Sequence, residues 1–244
     1  MSKAKKRRPE ARTLTEKVKT AKGRKASSTK WLQRQLNDPF VQEAKRLGYR
    51  GRAAFKLIQL DDKFRFLKPG TRVVDLGAAP GGWAQVAVQR VKAARPNAGR
   101  RRGTGGREGL VIGLDWKDVD PLDGAIFLKG DFMTETGTAM VRAALAGPAD
   151  VVLSDLASDA TGHAPTDHLR IIALAEAAVA FACEVLTLGG AVIIKVLQGA
   201  DEPALFEILR RNFTNVRRIK PAASRTDSAE LYLVGMGFRG EGGI

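Results

Sequence analysis

Val73-Val74-Asp75-Leu76-Gly77-Ala78-Ala79-Pro80-Gly81-Gly82-Trp83 is the stretch that decides the fold. It reads as a buried β-strand, then a turn of small residues, then the start of a helix. A turn of Gly, Ala and Pro carries few side chains, so a ligand can lie against bare backbone. Open α/β sheets bind their ligands at the carboxyl ends of parallel strands, which is where this turn falls. Glycine spacing narrows the ligand. A dinucleotide site uses G-x-G-x-x-G, with a helix N-terminus aimed at the pyrophosphate. Here the glycines stand at Gly77, Gly81 and Gly82, and the middle glycine is missing. A nucleotide-like ligand without a pyrophosphate fits better, and S-adenosylmethionine is the leading candidate.

On either side of this turn, β and α patterns alternate. Strands are expected at 71–76, 110–115, 125–128, 150–154 and 191–196, with a last pair at 216–219 and 230–235 lying antiparallel at one edge. Helices are expected at 82–94, 135–146, 167–187 and 202–212, and Gly189-Gly190 is expected to turn the chain. Two amphipathic helices, 31–48 and 52–66, precede the first strand. Strands alternating with helices argue for a doubly wound, mostly parallel sheet with helices on both faces. The domain therefore spans residues 31–240, behind a basic tail over 1–30, and includes a Gly/Arg-rich insertion at 95–109.

Charge is distributed unevenly. The chain has 244 residues and a formal net charge of +15. Residues 1–30 hold twelve Lys/Arg against Glu10 and Glu16, and residues 90–107 hold seven Lys/Arg and no acid. The body between and beyond these blocks is nearly neutral. Two basic attachments on a neutral body suit a polyanion such as RNA, since each cation set on a phosphate releases counterions. A merely solubilising tail is the plainer alternative. The tail has too little apolar content to fold by itself.

Other classes are disfavoured. The single cysteine, Cys183, lies in an apolar helical run and reads as a core residue, so there is no disulfide framework. His163 and His168 have no cysteine cluster beside them, which argues against structural zinc. No apolar stretch reaches the length of a membrane span, and no apolar segment follows the basic N-terminus as in a signal peptide. A cytoplasmic protein is expected, with a monomer as the default state.

Chemistry is sought at the strand ends. Asp115, one βα unit after the glycine turn, stands where a carboxylate accepts from a ribose diol. Asp131 in Gly130-Asp131-Phe132 can accept from an adenine amino group or serve as a helix N-cap. Trp83 can pack on the ligand or in the core, and its residue type favours the core. Lys195 interrupts the apolar strand Ile193-Ile194-Lys195-Val196, which is costly unless it is paired or functional. Asp155 follows the fourth strand, Glu230 opens the last one, and Lys56 lies in the apolar helix before the sheet. Each alone could be a surface charge. Together they can converge at one mouth of the sheet.

These residues carry a resemblance. Arg52-Ala53-Ala54-Phe55-Lys56-Leu57, the 75–83 turn, Ser154-Asp155-Leu156-Ala157, Lys195-Val196-Leu197-Gln198-Gly199, and Ser224-Arg225 through Glu230-Leu231-Tyr232 resemble FtsJ/RrmJ-type RNA ribose 2′-O-methyltransferases over residues 45–237. The resemblance implies a Rossmann-like methyltransferase fold with a seven-stranded sheet, and S-adenosylmethionine as cofactor. Lys56, Asp155, Lys195 and Glu230 match the family's catalytic K-D-K-E tetrad, and Gly81, Trp83, Asp115, Asp131 and Asp155 match its cofactor contacts. The substrate implied is a uridine ribose of large-subunit (23S) rRNA, on the assembling 50S particle. Gly51 stands where Ser is usual, and Ser158-Asp159 where Pro-Asn is common.

The expected reaction is in-line attack of a ribose 2′-oxygen on a sulfonium methyl, with no metal required because the leaving group is a neutral thioether. A neutral Lys195 would take the hydroxyl proton. A charged Lys195 would instead stabilise a developing alkoxide. Asp155 would orient Lys195 and the methyl donor, and Lys56 and Glu230 the ribose. A non-catalytic RNA-binding assembly factor and a 2′-O-methyltransferase for another RNA are the competing readings.

Overall fold

The computed structural model describes residues 18, 23, 26–93, 107–157, 163–199 and 202–240. Most of the 1–30 tail, most of segment 95–109, and Ser158-Asp159 lie outside the described residues.

Three helices come first: α1 (Ala26–Leu36), α2 (Pro39–Leu47) and α3 (Ala54–Phe64). The single helix expected over 31–48 is therefore two. Pro39 cannot continue a preceding helix, and it forces Asp38 into an extended conformation (φ −82°, ψ 114°). Asp38 then caps α2 by accepting from the Phe40 amide at 3.0 Å, and Gly48 closes the helix in the left-handed region at φ 74°.

β1 (Arg72–Leu76), α4 (Gly82–Val91), β2 (Leu110–Asp115), β3 (Ala125–Lys129), α5 (Glu135–Leu145), β4 (Ala149–Ser154) and α6 (Ala164–Val185) follow. β5 (Leu186–Leu197), α7 (Glu202–Asn212), β6 (Phe213–Ile219) and β7 (Glu230–Phe238) complete the chain. The sheet order is β3-β2-β1-β4-β5-β7-β6. β1 to β5 pair parallel, and β7 runs antiparallel between β5 and β6 at one edge. This is the expected seven-stranded, mostly parallel sheet. One local expectation fails. Gly189-Gly190 does not separate a helix from a strand, because β5 already begins at Leu186 and runs through both glycines. The irregularity shows as a register shift opposite Ala149 and Val151.

Side-chain alternation along the strands divides the core in two. Val74, Leu76, Ile194 and Val196 face α5, α6 and α7, with Cys183 packed partly buried at that cluster's margin. Val73, Ile193, Tyr232 and Val234 face α3 and α4. Odd-numbered positions of β1 and β5 thus share the α3/α4 face, and that face carries Asp75 and Lys195 to the mouth of the sheet. No described helix is long and apolar enough to cross a membrane.

Candidate active site

The glycine turn is held by backbone and by Asp115. Gly77 sits at φ 80°, and a Cβ there would come within 2.9 Å of the Leu156 amide, so the chain after β4 can approach only a glycine. Asp115 accepts from the Ala79 amide through Oδ2 at 2.9 Å and from the Lys117 amide through Oδ1 at 2.8 Å. Its carboxylate is thereby fixed against the turn, with lone pairs left for a diol. Gly81 is the N-cap of α4 at φ 104°, and Gly82 begins the helix, buried. Arg50 packs over Gly81 and donates to three carbonyls: Pro80 at 3.3 Å, Asp120 at 2.8 Å and Pro121 at 2.7 Å. One guanidinium therefore ties the glycine turn to the loop after β2.

A pocket of about 610 Å³ opens beside this turn. Asp115, Asp131, Leu114, Phe132, Leu156 and Leu174 are among its walls, so two carboxylates project into a largely apolar recess. The Asp131 Oδ1 accepts from the Met133 amide at 2.9 Å, and the N-cap of α5 is Thr134, whose hydroxyl accepts from Gly137 at 3.1 Å. Asp131 shapes the turn before the helix, while the cap itself belongs to Thr134. The Trp83 side chain is 3% exposed and takes no part in lining this pocket. Its Nε1 donates to the Ala53 carbonyl at 2.8 Å, and its ring lies 5.7 Å from that of Tyr232. The indole joins α4 to α3 and β7 as core.

The four residues proposed to act together do converge. Lys56 Nζ on α3 lies 2.6 Å from Glu230 Oε1. Lys195 Nζ donates to the Asp155 carbonyl at 2.7 Å and stands 3.3 Å from Asp155 Oδ1. All four side chains are at most 20% exposed. β5 and β7 explain the meeting: Lys195 pairs with Tyr232 and Leu197 with Glu230 in antiparallel register, so Lys195, Tyr232 and Glu230 leave the sheet on one face.

Tyr232 is the residue that sequence reasoning passed over. Its hydroxyl donates to Asp155 Oδ1 at 2.8 Å and lies 3.4 Å from Glu230 Oε1, linking the two lysine–carboxylate pairs. Burial, then the charges of Asp155 and Glu230, push its phenol well above the usual range, so it remains a donor. Ser224 Oγ donates to Glu230 Oε1 at 3.0 Å. The legible signal was the period of two: Tyr232 shares a face with Glu230, and a buried tyrosine hydroxyl needs a partner.

Asp75 was passed over too, although the argument that singled out Lys195 applies to it equally. It is 0% exposed at the end of β1, and neither carboxyl oxygen has a hydrogen-bond partner among the described residues. Burial, with help from the charges of Asp155 and Asp115, pushes its carboxyl up to about 8. The pocket itself offers the Asp115 carboxylate to a diol and the Asp131 carboxylate to an amino group, against apolar walls. S-adenosylmethionine, with an ammonium, a sulfonium, a ribose diol and an adenine, therefore fits the residues present.

The FtsJ-like methyltransferase family model matches residues 49–238. The chain belongs to the FtsJ-like methyltransferase family. Its cofactor is accordingly S-adenosylmethionine. Among its relatives in this family, Ribosomal RNA large subunit methyltransferase E of Paramagnetospirillum magneticum is 60% identical over 94% of this chain and 91% of its own length. The protein of the same name from Parvibaculum lavamentivorans is 57% identical over 94% of this chain and 89% of its own. A crystal structure described as a ribosomal RNA methyltransferase of Plasmodium falciparum is similar at TM-score 0.67 and 30% identity, covering 79% of this chain and 100% of that one.

Proposed function

We propose that this FtsJ-like methyltransferase methylates the 2′-oxygen of a uridine ribose in large-subunit (23S) rRNA on the assembling 50S particle. It would act as a monomer in the cytoplasm, with a domain over 31–240 and the 1–30 tail contributing to RNA binding. The observation that carries the reading is the double pair Lys56–Glu230 and Lys195–Asp155, bridged by Tyr232. It lies between the apolar pocket that holds Asp115 and Asp131 and a groove of about 390 Å³ where Arg34, Arg52, Arg225 and Lys56 outnumber Asp227 and Glu230. A cationic groove beside a cofactor pocket suits an RNA strand whose ribose must reach the donor.

When bound, S-adenosylmethionine would supply an electrophilic methyl on a sulfonium, whose leaving group is a neutral thioether. Asp115 would hold the ribose diol, Asp131 the adenine edge, and Gly77, Gly81, Gly82 and the backbone of Trp83 would admit the remainder. Lys195 takes the 2′-hydroxyl proton as attack proceeds. Its Nζ is positioned by the Asp155 carbonyl, 2.7 Å away, within reach of a hydroxyl presented at the mouth. Tyr232 holds the Asp155 carboxylate in place by donating to Oδ1. Lys56, fixed by Glu230, faces the groove and positions the ribose.

The test is methyl transfer from labelled S-adenosylmethionine to purified 50S subunits and to free rRNA, with mapping of 2′-O-methylation and Lys195→Ala in parallel. The expected result is label on one uridine ribose, reduced roughly 10²–10⁴-fold in the variant, the range of general-base catalysis. Near wild-type transfer by a folded Lys195→Ala would overturn the assignment of the base. Binding of rRNA without any transfer would favour the assembly-factor reading.

A further inference from the structure

The opposite end of the sheet carries a second basic surface, which the reaction does not use. A cleft of about 520 Å³ lies at the N-terminal ends of β1 and β4, walled by Arg65, Lys68, Arg107, Asp150 and the Gly189-Gly190 backbone. Arg65 ends α3 in the left-handed conformation (φ 55°), which turns the chain into this rim. Arg65 and Lys68 are exposed, and neither side chain has a carboxylate partner among the described residues.

Asp150 is the one acid among the described lining residues. It already accepts from the Arg72 amide at 2.7 Å and lies 3.3 Å from Arg107 Nη1. Beside it, Arg72 keeps Nε and Nη2 buried without a hydrogen-bond partner. Burial, and then the charge of Arg107, lower the Arg72 guanidinium from its ordinary range, with Asp150 opposing. Positive charge is thus in local excess. Ala93 and Gly109 pair at the same end of the sheet.

We infer that this end of the molecule binds the phosphate backbone of a second rRNA segment, separate from the one that presents the target ribose. The inference rests on the reading of the chain as an rRNA methyltransferase. Two features favour RNA as the occupant: Arg65 and Lys68 stand exposed along the cleft without carboxylate partners among the described residues, and its single carboxylate is committed to Arg107. Distance makes the segment a separate one. β1 alone spans five residues between the cleft and the mouth, roughly 16 Å at strand rise, so nucleotides at the mouth cannot also fill the cleft.

The experiment uses the full chain and its double variant Arg65→Gln/Lys68→Gln. Binding to 50S subunits is measured as a function of KCl, alongside steady-state methylation and S-adenosylmethionine affinity. The variant is expected to lower the log K against log salt slope by about 1–2, because each lost phosphate contact removes roughly 0.7–0.9. KM for subunits should rise about tenfold, with kcat and cofactor affinity within about twofold of wild type, since the cleft is far from the mouth. An unchanged salt slope and KM would overturn the inference, as would a loss of cofactor affinity, which would mark the change as structural. Wild-type protein that binds subunits through the cleft but transfers no methyl would overturn the functional reading and leave this surface standing. Wild type that binds neither subunits nor rRNA overturns both.

Discussion

The two ends of the sheet treat charge in opposite ways. At the mouth, nearly every cation has a carboxylate: Lys56 has Glu230, Lys195 has Asp155, Arg52 has Asp38 at 2.8 Å and Arg34 has Asp227 at 3.4 Å. At the far end Arg107 has Asp150 at 3.3 Å, but the exposed Arg65 and Lys68 have no carboxylate among the described residues. Pairing fixes side chains in one geometry, which chemistry at a single atom requires. Unpaired cations keep their attraction for a polyanion, which only needs to be held. The difference separates a place that positions a nucleotide from one that retains a large substrate.

The largest expected effect on stability lies in the mouth. Glu230→Ala leaves the 12%-exposed Lys56 ammonium without its carboxylate. It should cost about 3 kcal/mol in urea unfolding, the scale for breaking a buried pair. Lys56→Met/Glu230→Ala should recover part of that. A cost below about 1 kcal/mol would place this pair with solvent-exposed ones such as Lys129–Asp118 and blur the contrast.

Asp75 is the exception within the mouth, and pH sharpens it. Its folded-state value of about 8 lies above the ordinary 3.8, so between these values the folded chain holds a proton that the unfolded chain has released. Its contribution to stability therefore falls as pH rises from about 4 to 8, by up to about 1.4 kcal/mol per pH unit. Asp75→Asn should remove that slope. Parallel unfolding curves of wild type and variant from pH 5 to 8 would show that Asp75 is ionised throughout and has found a partner.

A smaller effect is expected at Arg50, whose fork reaches three carbonyls around the cofactor turn. Arg50→Lys keeps the charge and loses the fork, so S-adenosylmethionine should bind about tenfold more weakly, roughly 1.4 kcal/mol, with kcat at saturation little changed. Unchanged affinity by titration calorimetry would mean that Asp115 alone holds the turn.

Much of this molecule was legible in its residues because local rules sufficed. Val73–Trp83 announced strand, turn and helix, and the alternation of strands with helices gave the mostly parallel sheet. Asp38-Pro39 was misread within a single helix over 31–48: an extended residue before proline splits a helix, whatever the apolar spacing suggests on either side. Gly189-Gly190 misled because glycine permits a turn without requiring one: the strand bulges there and pairs with β4 on either side, at Leu186 and again from Ala191.

The sequence by itself determined the kind of fold, the cofactor turn, the four charged residues and the two basic blocks, since spacing and residue chemistry are properties of the chain alone. Only the tertiary structure decided how they meet. The antiparallel register of β5 on β7 set Tyr232 between two ion pairs, Trp83 went to the core, and Asp75 was left buried without a partner. The tertiary structure also paired Ala93 with Gly109 at the far end of the sheet from the mouth. Those outcomes depend on contacts between residues distant in sequence, which no local pattern encodes.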